Sequence, residues 1–406
     1  MNEKIVIIGS GIAAVSAIKS IREIDKESKI NLYGDEKFYP YTRIKLTKVL
    51  LNSLEEDKML IQKKDWYSEN NIDVYINKKV VCIDTDKKQI ELSDGERVEY
   101  TKLLLANGSR NMTPPLNGIN KEDVFTLRTI EDARNIVNAS QKSNTILIIG
   151  GGILSLELAW VLSQAGKKII VSEILPRLMP RQLDEIASSM LQKTLENQGV
   201  EIILNNQISE VSVNENGVEG IINDKGKFTS CDMITYSIGI KPNSDIVNGT
   251  IINANRGVIV NNKMETNVHG IYAAGDVAEH EGRIYGLWNI AIAQGTTAGY
   301  NIAGKDDIYK TIVPVTMLNA FNISLFSMGN IDENTVDTTL IENEKQNNCY
   351  KKIFIKDNKV VGSIVINNSK SSPILKKAIE GGIDLEEVDL KNISIDELLE
   401  IIKNKN

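Results

Sequence analysis

The chain carries one local order of elements twice, and this repetition limits its architecture more than any other feature. Lys4-Ile-Val-Ile-Ile-Gly9 is a short β-branched run that stops at glycine, as a buried parallel strand does. A helical pattern follows to about Glu23, and a second strand, Lys29-Ile-Asn-Leu-Tyr33, meets Gly34 and Asp35. The order returns at Asn144-Thr-Ile-Leu-Ile-Ile149, which runs into Gly150-Gly151-Gly152, a helix over Ile153–Gln164, a strand Lys167-Lys-Ile-Ile-Val171, and Glu173. Strands joined through helices close into parallel sheets by right-handed crossovers. The expected fold class is therefore α/β, with two Rossmann-like dinucleotide-binding domains.

The turns between strand and helix carry the first chemistry. Gly9-Ser10-Gly11-Ile12-Ala13-Ala14 fits the G-x-G-x-x-(G/A) pattern. One glycine permits the tight turn, the next lets backbone N–H groups approach a pyrophosphate, and the small final residue lets helix and strand pack closely. Asp35, beyond the second strand, is placed to accept a hydrogen bond from a ribose. Gly150-Gly151-Gly152-Ile153-Leu154-Ser155 is the second match, with Glu173 in the corresponding acidic position. A carboxylate there accepts from a ribose 2′-hydroxyl and repels a 2′-phosphate, which favours NADH over NADPH. Arg177 and Arg181 lie close enough in sequence to take a phosphate, which is the opposing reading. Two such turns call for two dinucleotides.

Composition narrows the remainder. A net charge of −7 argues against nucleic acid or an anionic membrane surface as the principal partner. The three cysteines, Cys82, Cys231 and Cys349, have no C-x-x-C spacing, and His269 and His280 are the only histidines, so no metal site is expected. The apolar stretch Ile5–Ala17 is interrupted by Gly9 and Gly11 and reads as strand and helix rather than as a signal peptide. No stretch approaches the roughly 20 apolar residues of a membrane span. A soluble, cytoplasmic protein is expected.

Strands are expected at Lys88–Leu92, at Arg97–Tyr100, and in the segment Leu103–Ser109, before a Pro-containing linker at Thr113–Leu116. A hairpin around Val211–Thr229 and a strand over Tyr236–Asn243 follow the second repeat. From Ile312 the pattern changes to short strands, including Lys352–Ile355 and Val360–Val365, and then two amphipathic helices, which reads as a small α+β domain. The expected division is 1–112 and 244–312 for the first dinucleotide domain, 113–243 for the second, and 313–406 for the C-terminal domain.

Further motifs stand in order along the chain: Pro40-Tyr41-Thr42-Arg43-Ile44-Lys45-Leu46-Thr47-Lys48, Ala106-Asn107-Gly108-Ser109, Leu127-Arg128-Thr129, Thr266 through Ile271-Tyr272-Ala273-Ala274-Gly275-Asp276, and Trp288 followed by Gln294-Gly295. With the two glycine turns, they make the chain resemble the FAD-dependent pyridine-nucleotide reductases of the glutathione-reductase plan. The resemblance covers about residues 1–310, and the tail more loosely. By pattern it is similar to NADH:rubredoxin reductases, the flavoprotein part of the nitrite reductase large subunit, and oxygenase-linked ferredoxin reductases.

The resemblance implies a glutathione-reductase-type three-layer ββα arrangement for both dinucleotide domains. It assigns FAD to Gly9, Gly11, Ile12, Ala13, Asp35, Arg43, Lys48, Val80, Ala106, Gly108, Arg128, Gly275, Asp276 and Trp288. Val80 would lie on a strand touching adenine through its backbone, Asp276 would accept from a ribityl hydroxyl, and the helix opening at Trp288 would face the flavin pyrimidine. NAD falls to Gly150, Gly152, Ile153, Leu154, Glu157, Glu173 and Gly239. Lys48 and Glu157 are the expected catalytic pair, a charge pair beside flavin N5 that admits the nicotinamide. Ile44 stands where the family usually has proline, and in the register of the cysteine of related oxidases and peroxidases, so no thiol relay is expected.

The implied reaction is hydride transfer from NADH to FAD N5, followed by electron transfer to a small redox protein, with rubredoxin the first candidate. Arg43, Lys45 and Lys48 would form a basic docking rim for an acidic carrier, or a plain solvated charge run. The alternatives are an NADH oxidase, a reductase of another acceptor (oxygen, quinone, ferredoxin or a nitrite reductase partner), and a flavin-bound redox-regulatory interaction protein. A monomer and a homodimer both fit.

Overall fold

Strand Lys4–Ile8 is apolar on both faces because it lies inside a parallel sheet; Ile5 and Ile7 are both buried. The computed structural model describes residues 3–52, 54–215 and 217–405, which fall into two units. The first comprises residues 1–112, 128–133 and 239–311. Its five-stranded parallel sheet has the order Ile271–Ala273, Lys102–Leu105, Lys4–Ile8, Lys29–Tyr33, Ile72–Tyr75. Helix Ile12–Ile24 packs on helix Trp288–Ile302 at backbone range: a Cβ on Gly295 would lie 2.2 Å from the Ala13 carbonyl oxygen, and one on Gly299 2.3 Å from that of Ala17. Strands Val80–Asp84, Gln89–Leu92 and Arg97–Glu99 form a separate antiparallel sheet.

The second unit comprises residues 113–127, 134–238 and 312–406. Its parallel sheet has the order Glu201–Ile203, Lys168–Ser172, Thr145–Ile149, Met233–Tyr236, Val124–Thr126. The expected hairpin is present as Ile208–Asn214 and Gly217–Asn223, joined by a third strand, Phe228–Ser230. The expected strand over Tyr236–Asn243 is instead two pieces. Met233–Tyr236 belongs to the parallel sheet, and Ile240–Pro242 pairs antiparallel with Ser109–Asn111 in the first unit. Gly239, at φ +124°, turns the chain between them.

The C-terminal segment forms a five-stranded antiparallel sheet in the order Val315–Ala320, Ile323–Gly329, Lys359–Ile366, Cys349–Lys356, Thr338–Glu344. One face meets helices Ser371–Gly381 and Ile395–Asn404 through a core containing Met328, Ile353, Val365, Leu375 and Leu398. The last helix opens with a capping box formed by Ser394 and Glu397. The opposite face directs Tyr350 and Lys352 to Asp184, the residue that caps helix Glu185–Glu196. Within the second unit this sheet is thus fastened to the segment following the second glycine turn. Among the described residues, no helix is long and apolar enough to cross a membrane.

Candidate functional site

In the first unit the sheet's C-terminal ends converge on the glycine turn. Gly9 donates to the Tyr33 carbonyl at 2.7 Å, Ala106 to that of Ile8 at 2.7 Å, and Ala274 to that of Leu105 at 3.0 Å. At Gly9 the φ of +101° and a would-be Cβ 2.3 Å from the Ala106 oxygen both exclude any side chain. Gly11 caps helix Ile12–Ile24 without a side-chain acceptor, and no acid lies in the first turn. That end, with Ile12 and Ala13 in its first turn, offers backbone N–H groups and a positive dipole to an anion.

A line of charges runs from the strand end to the second motif. Glu36 accepts from the Tyr41 hydroxyl at 2.7 Å and pairs with Arg43 at 2.6 Å. Arg43 also donates to the carbonyl of Arg128, whose guanidinium reaches Asp276 Oδ2 at 3.1 Å. Ser109 donates to that same oxygen at 2.7 Å. Gln294, in the helix that opens at Trp288, accepts from Gly275 N at 2.9 Å. Arg43, Arg128 and Asp276 are thereby brought into one network, with Gly108 beside Arg128 and Gly275 against Ala13. Val80 begins its strand buried.

The expected basic rim needs correction: Arg43 turns inward to Glu36 and the Arg128 carbonyl, leaving Lys45 and Lys48 as the exposed cations of that segment. Asp35 is exposed, whereas its neighbour Glu36 holds the network. Sequence reasoning missed Glu36, although a second acid at the strand end and the downstream Arg43 were both visible. The cradle fits FAD: open space beside Gly11, a helix end without a side-chain cap, and a buried Asn107 Oδ1 with no protein partner.

The second unit repeats the design. Gly150 donates to Ser172 O at 2.8 Å, and its φ of +110° with a would-be Cβ 2.5 Å from Ser237 O requires glycine. Gly152 caps helix Ile153–Gln164, again with no side-chain acceptor and no acid in the first turn, so Ile153 and Leu154 lie where phosphate would meet the helix end. Ser155 is buried, with Oγ lacking a partner. Glu173 is a strand-end acid turned inward. It is 8% exposed and accepts from Gly151 N at 2.5 Å and Leu175 N at 2.9 Å. These bonds hold a carboxylate beside the turn, the arrangement that suits an unphosphorylated ribose. Glu157 sits partly buried one turn into the same helix. Gly239 belongs to the first unit, where its carbonyl accepts from Met112 N at 2.9 Å.

No thiol accompanies either cradle as a redox pair. Cys82 is exposed, Cys231 and Cys349 are buried, and burial pushes the Cys231 thiol up to about 12. Ile44 is 53% exposed in the loop following Tyr41. Among the described residues no group of histidine, cysteine and carboxylate side chains could hold a metal.

Residues 3–295 match the family model of the pyridine nucleotide-disulphide oxidoreductases, and residues 314–383 that of the rubredoxin NAD+ reductase C-terminal domain. The chain is 34% identical over 388 residues to the nitrite reductase [NAD(P)H] of Bacillus subtilis, covering 95% of this chain but 48%, about half, of that relative. It is 33% identical over 385 residues to the NADH-rubredoxin oxidoreductase of Clostridium acetobutylicum, covering 95% of this chain and 96% of that one. The crystal structure of the clostridial NADH:rubredoxin oxidoreductase superposes with a TM-score of 0.82 at 32% identity, covering 99% of this chain and 100% of the other. A ferredoxin reductase from Rhodopseudomonas palustris shares the fold at a TM-score of 0.89 and 22% identity, over 98% and 99% of the two chains.

Proposed function

This chain belongs to the pyridine nucleotide-disulphide oxidoreductase family, and on that premise we propose that it oxidises NADH through bound FAD and passes the electrons to a rubredoxin. The observation that carries this reading is the pair of glycine-cradled turns in a chain whose flavin-side loop offers Ile44 in place of a redox thiol. FAD supplies the conversion of a two-electron donor into single electrons, which a one-electron iron protein requires.

The residues of the chain bind and orient. Residues 1–112 and 244–312, with Arg128, hold FAD; the rest of 113–243, apart from Gly239, holds NADH; and residues 313–406 form the C-terminal domain. The helix ends at Gly11 and Gly152 receive the two pyrophosphates, and Glu173 selects the unphosphorylated ribose. Asp276, fixed by Ser109 and Arg128, presents its remaining oxygen to a ribityl hydroxyl. Lys48, exposed, and Glu157 are assigned to admitting the nicotinamide, and Lys45 and Lys48 to meeting an acidic carrier. Three free cysteines suit a reducing cytoplasm, and the protein works as a monomer or a homodimer.

The deciding experiment reduces the protein with one equivalent of NADH without air and then mixes it with oxidised rubredoxin or with oxygen. Fast, salt-sensitive reoxidation by rubredoxin and slow reoxidation by oxygen are expected. Fast reoxidation by oxygen with none by rubredoxin would replace the carrier by an oxidase function. Lys48→Met is expected to slow flavin reduction by about tenfold; unchanged reduction and unchanged flavin affinity would remove Lys48 from the site.

A further inference from the structure

The loop beyond Glu173 is tied to the second glycine turn at one end and to the C-terminal sheet at the other. Near the turn, Met179 N donates to Gly151 O at 3.1 Å, and Leu178 Cδ2 sits 2.8 Å from where a Cβ on Gly151 would be. Met179 is buried and holds φ +47°, a left-handed conformation that a non-glycine residue keeps only where its surroundings impose it. Its carbonyl accepts from Gln182 N at 2.9 Å and Leu183 N at 3.0 Å, one residue short of Asp184.

At that far end the C-terminal sheet takes hold. Lys352 Nζ meets Asp184 Oδ2 at 2.9 Å, the Tyr350 hydroxyl donates to the same oxygen at 2.6 Å, and the Ser327 hydroxyl donates to Gln182 O at 2.6 Å. The other Asp184 oxygen accepts from Ala187 N at 2.9 Å and caps the following helix. The Lys352 side chain is 3% exposed and has Glu333 as its second carboxylate partner. Removing one partner of a buried ion pair leaves the other charge uncompensated, so Lys352 and Asp184 hold each other in place whatever the pair adds to stability. Lys351, beside it and equally buried, turns to the other face of the strand and pairs with Glu342 and Asp396 at 2.9 Å each.

We infer that Lys352 and Tyr350 are positioning residues for NADH: acting through Asp184, the C-terminal sheet sets the shape of the Glu173–Asp184 loop and so the affinity of the second glycine turn for the nucleotide. This rests on the NADH reading of that turn. It gives the C-terminal domain a task in nucleotide binding that is separate from any contact with a carrier.

The test is anaerobic stopped-flow reduction of the holoenzyme by NADH, which separates the dissociation constant from the limiting rate. Lys352→Met should raise the dissociation constant about tenfold and Tyr350→Phe about threefold, with limiting rates within about twofold of wild type. Lys351→Met, which breaks a pair on the opposite face, should lower thermal stability and leave the dissociation constant alone. Tyr350→Phe, the milder change, decides the matter if Lys352→Met fails to fold. Wild-type constants in Lys352→Met and Tyr350→Phe, or an equal rise in Lys351→Met, would overturn the brace while the NADH reading stands. A wild-type flavin that NADH leaves oxidised would overturn both.

Discussion

Glu173 serves the fold and, in the function proposed above, the choice of ligand. Its two oxygens hold the N–H groups of Gly151 and Leu175, so the charge proposed to disfavour a 2′-phosphate is anchored by the turn beside it. Glu173→Gln removes the charge and keeps one of the two acceptors, leaving either Gly151 N or Leu175 N without its carboxylate oxygen. The ratio of kcat/KM for NADPH over NADH should rise about tenfold or more, and an unchanged ratio would show that the carboxylate does not discriminate. The thiols provide a second residue-level expectation. Cys82 is exposed while Cys231 and Cys349 are buried, so a chromogenic disulfide should titrate one thiol quickly in the native protein and three after denaturation. Blocking Cys82 should leave NADH-driven flavin reduction intact, because the proposed reaction uses no thiol relay. Much of this scale was legible beforehand: Gly9, Gly150, Glu173 and Asp276 announce themselves by spacing within a known chemical pattern. Glu36 did not, because its role depends on Tyr41 and Arg43 folding back over it. The inward turn of Arg43 was hidden for the same reason, since one-dimensional order does not tell a docking cation from a network cation.

Among the elements, the crossing of helices Ile12–Ile24 and Trp288–Ile302 leaves little room for change. Gly295 and Gly299 let backbone meet backbone at Ala13 and Ala17, and both opposing atoms are carbonyl oxygens with no freedom to swing aside. Gly295→Ala should therefore cost about 1–3 kcal/mol. Because Ala13 belongs to the first helical turn of the proposed FAD cradle, the same change should loosen FAD. A lowered melting temperature together with flavin lost on gel filtration is expected, and full flavin retention at wild-type stability would contradict the packing argument. Element types were readable wherever strands end at glycine, as at Gly9 and Gly150, and the helix Ile153–Gln164 followed from the same punctuation. The segment Tyr236–Asn243 was not, because Gly239 marks a turn without telling which sheet each flank joins. The strand order of the C-terminal sheet was equally hidden, being set by the one pairing, Ile323–Gly329 with Lys359–Ile366, that joins strands distant in sequence.

For the molecule as a whole, the parallel sheet of the first unit is assembled from two distant parts of the chain. Strand Lys102–Leu105 pairs on one side with Lys4–Ile8 and on the other with Ile271–Ala273. During synthesis at about 5–20 residues per second, Ile271–Ala273 leaves the ribosome roughly 8 to 30 seconds after Lys102–Leu105. Throughout that interval Leu103, Leu104 and Leu105, all fully buried at the end, border an open strand edge. Nascent chains halted before residue 271 should bind no flavin, whereas chains extended past the helix Trp288–Ile302 and clear of the exit tunnel should capture it. Equal capture by both would mean that the cradle forms without its last strand. The split sheet thus gives the newborn chain an exposure that the finished protein never has: for some seconds of its making, a leucine strand edge lies open to other chains.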